Sequence, residues 1–323
     1  MKSLGIHHVS SLVADIRVSF KFYHKVLGMK LLMKTVNQDD YTMYHLFFAD
    51  EQGRPGTEFT VFQINTFKKN VFGTNAIDRT VFSVKSEKAL HYWLERFNVN
   101  NVEHCGIEDY GDTKIIRFED PDGMPLALSI ASQVEGDFAP NHDSDVPLDY
   151  AIIGIHSVHL RVRYPDATET ILVGWFHFER LALLTNEPFP VTVLRNHHSD
   201  YQHEVHLIED DTNPVEDQGI GGIHHLALYV EDYADLIAIN NKLIEKNFRN
   251  SGLHPREFFD AIYFREPNGL LFEVSAKIKK VPLSISADEI DDVPLYLPDF
   301  LQNKREGIEK ELCKIDKFRY EAE

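Results

Sequence analysis

Apolar and polar positions along the chain fall into one rhythm repeated four times. Each repeat opens on an apolar run of strand length, continues into a stretch with apolar positions three and four apart, and closes on three more β-rich runs separated by turn residues. That order predicts a βαβββ module. The first opens at Ile6, carries a helix over 16–27 and ends at 57–62. The second opens at 80–84, has its helix over 87–97 and ends at 125–130. The third opens at 155–160 and ends near 205–208; the fourth opens at Ile223, has its helix over 233–245 and ends at 272–274. Between the second and third modules the polarity loses its period and Asp, Pro and Asn accumulate, which predicts a linker over 132–150. The chain then divides into halves of two modules each, 5–131 and 151–277, followed by an extension over 278–323. That extension carries Pro282, Pro294 and Pro298 and a charged helix-like stretch, and is expected to dock on the surface. The expected class is α+β, four βαβββ modules forming two curved-sheet barrels.

Within this pattern one phrase occurs twice, as Gly5-Ile6-His7-His8-Val9 and as Gly222-Ile223-His224-His225-Leu226. A His inside a buried strand needs a partner to offset its desolvation, and two in matching context point to a shared partner such as a metal ion. Glu273 has the same character, a carboxylate inside the apolar run that ends the fourth module. His8, His225 and Glu273 together would make a facial triad.

Turn chemistry places the third of these. Glu266-Pro267-Asn268-Gly269 predicts a type I turn followed by a bulge, so Glu266 pairs with Leu270 and Tyr263 stands across from Glu273. In the second module Arg117 and Ala127 occupy the places of Tyr263 and Glu273, and Arg79 takes the place of the first-strand His; in the third module Ser157 does. Only the first and fourth modules keep ligands. They must therefore share one sheet, with the chain crossing between barrels twice and the other two modules forming a barrel without a ligand set. Strand alternation expects His7 and His224 behind the face that carries the metal. Arg256 has the wrong parity to share Tyr263's face on an unbroken strand, so it is expected from a loop or bulge. His197-His198 sits in a polar turn and reads as solvated surface.

A chain of 323 residues exceeds one ordinary core, and 43% apolar content supports globular folding. No apolar run is long enough for a membrane span and no signal-peptide pattern opens the chain, so a cytoplasmic location is expected. Cys105 and Cys313 match no zinc or redox spacing and read as unpaired thiols. The net charge of −18 argues against nucleic acid and anionic membrane as partners and leaves self-association into a homo-oligomer open.

These residues resemble the vicinal oxygen chelate, or glyoxalase-like, superfamily, and within it the bacterial ring-cleaving dioxygenases that act on hydroquinones. The marks are the two His-His strands, the stretch Lys34-Thr35-Val36-Asn37-Gln38-Asp39-Asp40 followed by Tyr44-His45-Leu46-Phe47, the turn Gly53-Arg54-Pro55-Gly56-Thr57, and Ile262-Tyr263-Phe264-Arg265 leading to Glu273. The resemblance implies that His8, His225 and Glu273 hold a ferrous ion and that His7, Ser10, His224, Arg256 and Tyr263 form its outer shell, Ser10 replacing a more familiar Thr. Pro255 departs from the pattern, since relatives often carry an acidic residue before the Arg, and it leaves open how Arg256 is oriented. Two imidazoles and one carboxylate leave coordination positions free, as an oxygenase needs, and suit Fe(2+) or Mn(2+). The implied activity is extradiol-type cleavage of a small aromatic by dioxygen, with Tyr263 and His224 moving protons and Arg256 holding negative charge. A glyoxalase-type isomerase or lyase and a non-catalytic small-molecule-binding protein share the fold and stand as alternatives.

Overall fold

The computed structural model describes residues 3–131, 138–256, 258–276, 285 and 287–320. Parts of the expected linker and of the extension fall outside these residues. The first module comprises β1 (Ser3–Val13), α1 (Ile16–Phe20), β2 (Lys30–Val36), β3 (Tyr44–Ala49) and β4 (Glu58–Gln63). The second has β5 (Ala76–Val84), α2 (Glu87–Val99), β6 (His104–Tyr110), β7 (Thr113–Glu119) and β8 (Pro125–Ile130). The third has β9 (Gly154–Val162), α3 (Pro165–Phe176), β10 (Phe178–Leu184), β11 (Val191–Asn196) and β12 (Glu204–Glu209). The fourth has β13 (Ile223–Val230), α4 (Tyr233–Glu245), β14 (Asn250–Pro255), β15 (Asp260–Arg265) and β16 (Leu271–Ser275), and α5 (Arg305–Tyr320) follows.

Helix starts follow the chemistry of their first residues. Asp15, Ser86 and Asp232 cap α1, α2 and α4 by accepting from backbone N–H groups of the first turn, and Pro165 opens α3 where its missing N–H costs nothing. The helix of the first module continues from α1 as a π-type stretch over Lys21–Val26. Each helix then buries one stripe: in α2, Ala89, Leu90, Trp93 and Phe97 are fully covered.

The strands form two eight-stranded sheets in the orders β14-β15-β16-β13-β1-β4-β3-β2 and β10-β11-β12-β9-β5-β8-β7-β6. The first and fourth modules therefore share one curled sheet and the second and third share the other, as expected from the ligand positions. Each half of the chain gives one module to each sheet, and the chain crosses between sheets twice. A continuous apolar cluster joins them, with the Phe59 and Phe82 rings 5.6 Å apart.

The extension adds to the core of the first sheet. Ile290, Val293, Leu297, Leu301, Ile308 and Leu312 are buried, Lys34 Nζ donates to the carbonyls of Ile290 and Val293 at 3.0 and 3.1 Å, and Tyr44 donates its hydroxyl to Asp316 at 3.1 Å. Among the described residues no helix is long and apolar enough to cross a membrane.

Candidate metal centre

Strand register brings the three candidate ligands together. β1 and β13 run antiparallel with His8 opposite Ala227 and Ser10 opposite His225, while parallel β16 sets Glu273 beside Ala227. The two imidazoles meet through Nε2 at 3.2 Å. Glu273 Oε2 lies 2.9 Å from His225 Nε2 and 3.6 Å from His8 Nε2, and all three side chains are buried. Ser275 Oγ donates to the other carboxylate oxygen at 2.6 Å, which fixes its orientation. Burial would raise the Glu273 carboxyl, but His8 and His225 hold it well below the usual carboxylate range. Burial would lower His8, but Glu273 raises it, whereas for His225 burial prevails and lowers it. Two imidazole nitrogens and an ionised carboxylate converging in a buried site fit a divalent cation.

The remaining ring nitrogens explain why each phrase carries two His. His8 Nδ1 lies 2.9 Å from His7 Nδ1, and His225 Nδ1 lies 2.8 Å from His224 Nδ1. Burial, and then the neighbouring imidazole, push His7 well below its ordinary value and His224 down to about 3. Both are therefore neutral near pH 7 and can accept. With Nε2 facing a cation, each inner His carries its proton on Nδ1 and donates to the outer one, which fixes tautomer and ring plane. Glu58, opposite His8 on β4, approaches His7 Nδ1 to 3.4 Å, and burial pushes its carboxyl up to about 7. His7, His8 and Glu58 also cluster closely, but through the Nδ1 side, as a support behind the centre.

The triad opens into a cavity of about 400 Å³. Phe47, Phe62, Phe258 and Phe259 line it, and Tyr296 of the extension packs on Phe258 at 5.7 Å. Ser10 Oγ and His45 Nε2 both meet Thr60 Oγ1, at 2.7 and 2.9 Å. His224 lines this cavity too, whereas His7 does not, so alternation separates the two less cleanly than expected. The cause is local: the β1–β13 register shifts on both sides of His8.

Tyr263 stands opposite Glu273, the register expected from the turn, with Gly269 at φ +90° and Glu266 N donating to Leu270 O at 3.0 Å. Burial and Glu273 raise its phenol well above the ordinary value, so it stays protonated. Arg256 follows the end of β14, outside the strand, and its guanidinium lies 5.4 Å from the Tyr263 ring centre. Its acidic partner is Asp39, which accepts from both terminal nitrogens at 3.0 and 2.5 Å. An acid from the β2–β3 connection thus orients Arg256. Sequence reasoning assigned no role to Asp39, His45, Glu58 or Thr60. Glu58 had the same signal as Glu273, a charge inside a buried run, and His45 alternates with the apolar residues of β3.

A profile of the Glyoxalase/Bleomycin resistance protein/Dioxygenase superfamily matches residues 5–128. The chain is 38% identical over 319 residues to "Putative ring-cleaving dioxygenase MhqA" of Bacillus subtilis (strain 168), covering 98% of this chain and 100% of that protein. It is 25% identical over 281 residues, 85% of each chain, to the chlorohydroquinone/hydroquinone 1,2-dioxygenase of Sphingobium indicum. A crystal structure of a "putative dioxygenase" from Bacillus subtilis subsp. subtilis str. 168 is similar over 96% of this chain and 97% of that one, with a TM-score of 0.84 and 28% identity. Relatedness of that extent, on a fold of two curled sheets each built from paired βαβββ modules, means that the chain belongs to the Glyoxalase/Bleomycin resistance protein/Dioxygenase superfamily.

Proposed function

We propose that this protein is a ferrous-iron-dependent, extradiol-type ring-cleaving dioxygenase that acts on hydroquinone-like aromatics. The observation that carries this reading is the convergence of His8, His225 and Glu273 at one end of a cavity walled by phenylalanines. The relatives named as a ring-cleaving dioxygenase and as a chlorohydroquinone/hydroquinone 1,2-dioxygenase support the reaction class.

A ferrous ion, when bound, supplies a lowered ring-hydroxyl pKa and a route for electrons from the aromatic to dioxygen; manganese suits the same ligands. The chain supplies the remainder. Phe47, Phe62, Phe258 and Phe259 take the flat apolar body of the substrate and keep water out. Tyr263, protonated beside Glu273, donates to oxygen as charge develops there and can hand over a proton. Arg256, held by Asp39, places a fixed positive charge on the same side. His224 accepts from His225 at the cavity wall and is the second candidate for moving a proton, while His7 acts only through His8. Ser10 positions Thr60 and through it His45. Overall, both atoms of dioxygen enter the opened ring. Substrate and dioxygen are the proposed partners.

The test is metal content of protein purified without oxygen, then oxygen uptake with hydroquinone, methylhydroquinone and catechol side by side. Stoichiometric iron and faster hydroquinone turnover are expected, with iron lost from a folded Glu273→Gln variant. Full iron and activity in that variant would overturn the ligand assignment, and a catechol rate above both hydroquinone rates would overturn the substrate class.

A further inference from the structure

The cavity at the candidate centre has a polar flank that the ligand set does not use. Ser10 follows the ligand His8 on the same face of β1 and pairs with Thr60 on β4, and the next strand, β3, sets His45 opposite Phe62. Three polar side chains therefore step across neighbouring strands away from the triad. Ser10 Oγ meets Thr60 Oγ1 at 2.7 Å, and Thr60 Oγ1 meets His45 Nε2 at 2.9 Å. These bonds occupy one ring nitrogen of His45. The other, Nδ1, has no hydrogen-bond partner among the described residues, and it is not one of the enclosed unpartnered atoms, because the half-buried ring lines the cavity.

That nitrogen is held in a fixed direction. The Phe47 and Phe62 ring centres each lie 4.0 Å from that of His45, which clamps the imidazole, while Thr60 sets its rotation. Burial, and then His8 and His225, push His45 well below its ordinary value, so the ring is neutral near pH 7 and carries one N–H and one lone pair. Two arrangements of the chain are complete. When Thr60 donates to Ser10, His45 donates from Nε2 and Nδ1 accepts. When Ser10 donates to Thr60 and Thr60 donates to Nε2, Nδ1 carries the proton. Either sense suits a hydroxyl.

Other polar groups on the wall are already engaged. Asp39 binds Arg256, Ser251 Oγ accepts from Tyr263 N at 2.9 Å and donates to Gly252 O at 2.8 Å, and His254 Nε2 meets Ser251 O at 3.1 Å. Resting on the function proposed above, we propose that His45 is the residue that selects a second hydroxyl on the substrate. Its Nδ1 hydrogen-bonds the hydroxyl of a para-diol that stands across the ring from the oxygen at the triad. An ortho-diol turns both oxygens toward the triad and leaves Nδ1 unmatched, and a site built to pair a hydroxyl discriminates strongly against a ligand that lacks it there. The preference for hydroquinone over catechol is thus placed on a strand residue away from the ligand set.

The probes are hydroquinone and 4-methylphenol, which has a methyl group in place of the far hydroxyl. Each is titrated calorimetrically into the iron-loaded full chain under argon, so that binding is read without turnover. Hydroquinone is expected to bind the wild type about tenfold to a hundredfold more tightly than 4-methylphenol. In His45→Phe, iron content should hold and the preference should fall to within about threefold, through loss of hydroquinone affinity alone. Thr60→Val, which frees the imidazole, should lower the preference several-fold and decides the matter if His45→Phe fails to fold. A preference that survives in these variants, or equal losses for both ligands, would make His45 a packing residue and overturn the assignment. Oxygen uptake by the wild type separates this failure from that of the function. If hydroquinone is consumed yet binds no better than 4-methylphenol, the role of His45 alone is lost; if it is neither bound nor consumed, both fall.

Discussion

Removing one oxygen atom from Tyr263 separates the chemistry of the cavity from its architecture. The Tyr263→Phe ring can keep its place opposite Glu273 and beneath the Arg256 guanidinium, because neither the strand pairing nor the 5.4 Å cation–ring contact needs the hydroxyl. The fold should lose no more than about one hydrogen bond, roughly 0.5–1.5 kcal/mol. Iron content should not change, since the triad is formed by His8, His225 and Glu273 alone. Turnover should change greatly. Burial and Glu273 keep the phenol protonated, so it is a pre-oriented donor in a water-poor site, and deleting one such donor typically costs on the order of 10²–10³ in kcat, about 2.7–4 kcal/mol of barrier. The assay is steady-state oxygen uptake by variants loaded to equal iron content, with kcat and KM resolved on hydroquinone. An unchanged kcat would demote Tyr263 to packing. A fall in iron that matches the fall in rate would instead make it a support of the ligand set.

Asp39→Asn should slow turnover by about tenfold without loss of iron, because it loosens Arg256; in a double-mutant cycle with Arg256→Lys, additive effects would refute the coupling. His7→Leu deletes the acceptor behind His8 and should weaken metal binding by about 10–100-fold in a chelator competition, and an unchanged affinity would deny His7 that role. Asp120 accepts from the Tyr23 hydroxyl and from the N–H groups of Asp122 and Met124, yet burial pushes its carboxyl from 3.8 up to about 7. A raised carboxylate contributes stability that is whole below about pH 4 and is lost as pH rises through about 7, by up to about 1.4 kcal/mol per pH unit, so Asp120→Asn should flatten the urea midpoint across that window. An identical pH profile in the variant would show that Asp120 is not the group responsible. Leu301→Ala, in the fully buried part of the extension, should cost about 2–5 kcal/mol in denaturant unfolding; a loss below about 0.5 kcal/mol would show that the extension is not part of the core.

Most of the architecture could be read from local chemistry acting at short range. The pairing of Tyr263 with Glu273 follows from four turn residues, because Pro fixes one dihedral and Gly269 takes the positive φ that the bulge demands. The sheet partnership of the first and fourth modules follows from the need of two buried His and a Glu for a common partner. What escaped has a physical reason in each case. The Asp39–Arg256 pair joins loop side chains 217 positions apart, and no periodicity encodes such a meeting. Alternation on an unbroken strand puts His7 and His224 behind the metal face; His7 does stay off the cavity wall, but the register shifts between β1 and β13 bring His224 into it and turn both outer imidazoles onto the inner ones.

The same two cases explain how one sheet pattern supports two different sets of side chains. Backbone pairing around Ala227 and around His159 is equivalent, and the apolar positions that hold the sheets together repeat with it. The side chains at three matched positions differ in charge: His8, His225 and Glu273 in one sheet, Arg79, Ser157 and His206 in the other. Because those positions contribute little to sheet formation, they can vary without disturbing the fold. The side chains at three matched positions, and not the fold around them, therefore decide which of the two sheets gathers two imidazoles and a carboxylate that could hold a cation.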